Sequence, residues 1–133
     1  MSDKPMPRPN ADSAPFWEAC NRGELIHQRC RACGHRQFYP RAVCANCQSD
    51  DLAWAKTASA GEVYSYTVVQ RAPTKAFRPN VPYVVALVDL ADGVRMMMNL
   101  RDCDPDAAHI GMKVRIVFEQ GTDGQALPQA VPA

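Results

Sequence analysis

No stretch of this 133-residue chain is apolar for long enough to cross a bilayer as a helix, so no membrane association is expected. A strong charge of either sign is also missing. The net charge is +1, and a general nucleic-acid binder usually carries a clear basic excess. There is no Walker loop, no GxGxxG and no HExxH, and no Ser/His pair stands in a recognisable nucleophile setting. The three histidines are scattered among polar or β-type segments. The N-terminus, MSDKPMPRPN, has no apolar core and does not read as a signal peptide, so a cytoplasmic protein is expected. Residue chemistry alone gives no reason to expect an independent enzyme.

Against these absences stand two Cys-x-x-Cys pairs, Cys30/Cys33 and Cys44/Cys47, in the run CRACGHRQFYPRAVCANC. Two intervening residues let both sulfurs of a pair face one ion, and four thiolates suit one tetrahedral Zn²⁺. In a reducing compartment, such pairs favour metal over disulfides. Four sulfurs leave no open coordination position, so one structural zinc per chain is expected. His27 and His35 lie close by but are not needed as ligands. Gly34 follows the first pair, where a tight knuckle calls for positive φ. Gln48 holds the corresponding place after the second pair, a departure from the pattern.

Along the chain, residues 1–12 read as a flexible, proline-rich tail. Ser13 offers an N-cap and Pro15 a first-turn proline for a short helix that Gly23 ends. Such a helix is not stable alone, so Phe16 and Trp17 must pack on the chain itself or in a partner interface. Residues 24–29, 37–39 and 52–57 read as short strands around the knuckles, which makes 13–58 a helix plus zinc ribbon. From residue 59 the pattern changes to longer strands, at 61–70, 83–90, 94–100 and 112–119, with Ala91-Asp92-Gly93 as a hairpin turn. The expected fold is mainly β. An N-terminal helix and zinc ribbon precede a small OB-fold-like antiparallel barrel over 59–120, with an open sandwich as the competing architecture. Residues 121–133, rich in Gly, Gln, Pro and Ala, read as a C-terminal arm.

Arg71, Lys75 and Arg78 make residues 71–82 a basic loop, suited to a phosphate-bearing ligand or an acidic partner surface. Asp102, Asp104 and Asp106 form an acidic cluster without EF-hand spacing, which more simply caps a turn. Cys103 sits in that negative field and is a poor nucleophile, while Cys20 fits a buried helix position.

The segments FWEACNRGELIHQRCRACGHRQFYPRAVCANC, GEVYSYTVVQR, PYVVALVDLADGVRMMMNL, CDPD and IGMKVRIVFE, in that order, resemble the DUF35 family of zinc-ribbon plus OB-fold proteins over roughly residues 14–119. The resemblance implies Cys30, Cys33, Cys44 and Cys47 as zinc ligands. It also implies an accessory role for enzymes acting on acyl-CoA thioesters. The partner would be a thiolase-like catalytic subunit (thiolase, acyltransferase or aldolase) that forms or breaks carbon–carbon bonds. The alternatives are a MaoC-like enoyl-CoA hydratase partner and single-stranded nucleic-acid binding by the OB-fold. On the leading reading, Arg71, Lys75 and Arg78 would meet acyl-CoA phosphates or the partner.

Overall fold

A computed structural model describes residues 4–133; the first three residues of the tail lie outside the described part. Helix α1 (Ala14–Asn21) starts after Ser13 and buries Phe16, Ala19 and Cys20 on one side. Burial pushes the Cys20 thiol up to about 12, so it is an inert core group. Strands β1 (Ile26–Cys30), β2 (Arg36–Gln37) and β3 (Leu52–Lys56) form a small antiparallel sheet in the order β2-β1-β3. This is the ribbon. Its buried side chains include the polar His27, Gln28 and Gln37. The amides satisfy one another: Gln37 Nε2 donates to Gln28 Oε1 at 2.8 Å, and Gln28 Nε2 donates to the Arg41 carbonyl at 2.8 Å.

Strands β4 (Ala60–Val69), β5 (Tyr83–Leu90), β6 (Arg95–Leu100), β7 (Lys113–Gln120) and β8 (Ala126–Pro132) close into a five-stranded barrel, ordered β4-β5-β6-β8-β7. That order is the closed OB-fold arrangement. Strict alternation along β5 and β6 sends Val84, Ala86, Val88, Leu90, Met96, Met98 and Leu100 inward. Burial at roughly 25 cal/mol per Å² of apolar surface makes this the main source of stability. In β4 the register shifts between Val63 and Ser65, a bulge of the kind that lets a strand bend around a small barrel.

The segment expected to be an arm, 121–133, is the chief correction. It supplies β8, which pairs with β7 from Gln120↔Ala126 to Val114↔Pro132 and meets β6 in parallel at Leu100↔Ala130. Without it β6 and β7 would both be open edges. Two prolines disguised the strand. Ala130 turns its carbonyl to the β6 side, where it accepts from the Arg101 N–H at 2.7 Å. Residues two apart point their polar groups the same way, so Pro128 and Pro132 lack their N–H on that sparsely bonded side. The β6–β8 contact also makes the barrel mixed rather than wholly antiparallel.

Helix α1 belongs as much to the barrel as to the ribbon. Asn21 Oδ1 accepts from the Ala126 N–H at 2.8 Å, and Gln125 Nε2 donates to the Trp17 carbonyl at 3.1 Å. Nor does the described part of the tail hang free of the fold. The Lys4 ammonium lies 5.4 Å from the centre of the Phe77 ring, and Met6 fills the space a Cβ on Gly121 would need. Among the described residues no helix is long and apolar enough to cross a membrane.

Candidate functional site

The four knuckle cysteines converge. Their sulfurs all lie within 4.8 Å of one another, with Cys30 and Cys47 3.6 Å apart and Cys33 and Cys44 3.7 Å apart. A tetrahedron with Zn–S bonds of about 2.3 Å has edges of about 3.8 Å, so the donors are spaced for zinc. The two knuckles are built alike. The Gly34 N–H donates to the Cys30 carbonyl and the Gln48 N–H to the Cys44 carbonyl, both at 2.9 Å. Cys30 N–H donates to the His35 carbonyl and Cys44 N–H to the Ser49 carbonyl, both at 2.8 Å. Gln48 accordingly takes φ +66°, close to the +81° of Gly34. The odd residue of the second knuckle keeps the turn and accepts the strained conformation.

Electrostatics also call for a cation. The Asn46 side-chain amide and the His35 backbone N–H draw the Cys33 thiol down to about 6. Cys47 stands up at about 12: the Ser49 backbone N–H favours its thiolate, but Cys30, burial and the other two sulfurs outweigh it. Four thiolates this close repel one another unless a divalent ion neutralises them. Two sulfurs are buried and two exposed, and all four positions are protein ligands, which suits a structural rather than a catalytic zinc.

Neither histidine joins the sulfur cluster. His27, fully buried, is held from both sides. The Arg36 guanidinium donates to Nε2 at 2.8 Å, and Nδ1 lies 2.7 Å from the Thr57 hydroxyl. Because a guanidinium can only donate, Nε2 is the acceptor and Nδ1 carries the proton. Burial first, then the Arg36 charge, holds its pKa below the ordinary value, with Asp92 opposing.

Phe16 and Trp17, expected to pack on the chain itself or in a partner interface, differ in exposure, and both border one apolar groove. Phe16 is 3% exposed and packs edge-on to Phe38 at 4.9 Å, a core contact that joins helix to ribbon. Trp17 is half-buried and lines an apolar groove of about 260 Å³ with Phe38, Tyr39, Pro40, Met97 and Pro128. The groove therefore lies where helix, ribbon and barrel meet. Tyr39 and Met97 are 52% and 61% exposed. The run Met96-Met97-Met98 was its visible signal in the sequence. All three border the groove, Met97 exposed and Met96 and Met98 buried.

Arg71, Lys75 and Arg78 are exposed on the loop that precedes β5, Lys75 and Arg78 within a 3-10 helix (Lys75–Asn80). The same helix sends Phe77 against Tyr83, with ring centres 5.9 Å apart. That pair borders a larger cavity of about 590 Å³, which Asn99, Gln129 and the Arg101–Glu119 ion pair (3.1 Å) also line. The three basic residues do not line it. In the acidic cluster, Asp104 caps the turn Pro105–Ala107 by accepting from the Asp106 N–H at 2.9 Å. Cys103 borders the cavity and points its thiol at the Asp104 carbonyl.

Residues 17–53 match the family model for the ChsH2 rubredoxin-like zinc ribbon domain, and residues 54–119 match that for the ChsH2 C-terminal OB-fold domain. A DUF35 domain-containing scaffold protein of Methanocaldococcus jannaschii is 39% identical over 105 residues, covering 75% of this chain and 74% of the relative. The chain belongs to the DUF35 family. Its metal centre is that family's zinc ribbon, with one structural zinc, and its barrel is the family's OB-fold. A solved chain described as "Ltp2-ChsH2(DUF35) aldolase" superposes with a TM-score of 0.86 at 38% identity, over 96% of this chain and 98% of the other. A probable enoyl-CoA hydratase alpha subunit of Thermomonospora curvata is 38% identical over 130 residues. That match takes in 98% of this chain but only 40% of the relative, so the chain corresponds to one part of a longer protein there.

Proposed function

We propose that this protein is a non-catalytic, zinc-stabilised accessory subunit of a thiolase-like enzyme acting on acyl-CoA thioesters. The observation that carries the reading is the apolar groove at the junction of helix, ribbon and barrel, on a chain alike over nearly its full length to the DUF35 component named in an aldolase. A preformed pocket of this size, with exposed Met97 and Tyr39 at its rim, takes one or two apolar side chains of a partner rather than a cofactor. Zinc fixes one wall and the barrel the other, so the partner meets a shaped platform. Arg71, Lys75 and Arg78 stand exposed on their own loop, and we assign them to acyl-CoA phosphates or acidic partner groups.

The test is co-purification with the thiolase-like protein encoded beside its gene. The complex is expected to co-elute and to act on acyl-CoA substrates. Met97→Asp, which places a charge in the groove, is expected to weaken it by about thirtyfold or more, the scale of an interface hot spot. Failure of the wild-type pair to co-elute or to gain activity would sink the reading. A second reading, a MaoC-like hydratase partner, has the Thermomonospora relative in its favour. It predicts hydration of an enoyl-CoA by the complex in place of carbon–carbon bond chemistry, so the product formed distinguishes the two.

A further inference from the structure

Three parts of the fold meet at His27. It lies on β1 of the ribbon. Its Nδ1 side meets Thr57, the residue that leads from β3 into the barrel, and its Nε2 side meets Arg36 of β2. The next residue, Ala58, donates its N–H to Asp92 in the turn between β5 and β6. Thr57 itself donates its N–H to the Leu25 carbonyl at 2.8 Å. The connection between ribbon and barrel is thus fastened by the imidazole, the hydroxyl and one barrel carboxylate.

We propose that His27 is an acid-sensitive latch between the ribbon and the barrel, closed when the imidazole is neutral and released when it takes up a proton. The reason is stereochemical. Nε2 can accept from Arg36 only while it is unprotonated, and a proton there sets two donors and two positive charges face to face across 2.8 Å. The charged groups acting on the ring are Arg36 from β2, which opposes protonation, and Asp92 from the β5–β6 turn, which favours it. The ring is fully buried, so water does not relieve the clash in place. Opening the joint does relieve it, because Thr57 and the ring then reach solvent. The consequence extends to the groove, whose walls come from both sides of this joint: Phe38, Tyr39 and Pro40 from the ribbon, Met97 and Pro128 from the barrel.

The sign follows from linkage. The closed state holds His27 neutral with its pKa depressed, while the open state titrates in the ordinary range near about 6.5. The latch is therefore fully closed above that range. Below it, opening takes up one proton and becomes more favourable by about tenfold per pH unit until the closed-state pKa is passed.

The experiment is residue-resolved hydrogen exchange on the zinc-loaded full chain between about pH 7.5 and about pH 5, with zinc content measured in the same samples. After correction for intrinsic exchange, the Thr57 and Ala58 amides are expected to accelerate by about tenfold per pH unit below the ordinary histidine range. Amides of β5 and the zinc content should hold. His27→Gln keeps a neutral donor and acceptor and is expected to abolish the acceleration. A flat response at Thr57 and Ala58 overturns the proposal, as does the same acid response in His27→Gln or acceleration only as zinc leaves. If His27→Gln does not fold, the ring-nitrogen resonances of the wild type decide. An unprotonated Nε2 at neutral pH, titrating in step with the exchange, supports the latch. A protonated Nε2 at neutral pH, or titration without change at the joint, overturns it.

Discussion

Residues 26–56 bury Ile26, His27, Gln28, Gln37 and two cysteines, whereas residues 60–132 bury Val84, Val88, Met96, Met98, Leu100 and their neighbours. The ribbon's sheet has three strands, one of them two residues long, and its interior is a set of amide and imidazole hydrogen bonds around four sulfurs. The barrel has five strands closed on an aliphatic core. Polar networks give a unique geometry but little net stability, because each bond replaces one to water. Apolar burial gives stability with less geometric demand. The metal makes up the ribbon's shortfall, and the barrel needs no such help. Shape in one part and cohesion in the other come from different forces, within one small chain.

The comparison breaks most sharply if the metal is removed. Chelation is expected to withdraw on the order of 10 kcal/mol of folding free energy from the ribbon. Exchange protection should vanish in β1–β3 and persist in β5–β7. Equal loss in both parts would show that the barrel leans on the ribbon. Next in size is a cut on the other side. Met96→Ala, at a residue 1% exposed, should cost the barrel about 2–5 kcal/mol in denaturant unfolding, with zinc stoichiometry unchanged. The smallest effect sharpens the account of the knuckles. Gln48→Gly removes the strain of a side chain at φ +66° but adds backbone freedom to the unfolded chain. The net is a gain of less than about 1 kcal/mol, read as zinc affinity up to about fivefold tighter in a competition titration.

The zinc ligands were legible because metal geometry constrains spacing directly: Cys30, Cys33, Cys44 and Cys47 announce themselves whatever surrounds them. Strand β5 was legible to the residue, since alternating burial writes itself as alternating hydrophobicity. Strand β8 was not. Pro128 and Pro132 read as breakers, and only the three-dimensional fact that their missing N–H groups face a sparsely bonded side makes them harmless. Phe16 and Trp17 are adjacent letters of like character, yet successive helical positions point about 100° apart, so Phe16 is buried in the core and Trp17 stays half-buried, although both border the groove. The joint at His27 was illegible for another reason. Its partners Arg36, Thr57 and Asp92 are brought together by sheet register and a hairpin turn, and no local pattern connects them.

The placement of β8 between β6 and β7 also bears on how the chain comes off the ribosome. The ribbon's pairings all lie within residues 26–56, so a nascent chain can load zinc and set its knuckles early in synthesis. The barrel cannot close until residues 126–132 have emerged, because β6 and β7 do not pair with each other. Until then its aliphatic strands wait beside a finished ribbon, with two open edges and an unfilled seam. The interval between those two events is when this protein is most exposed to misassembly, and the metal-bearing half is the one already safe.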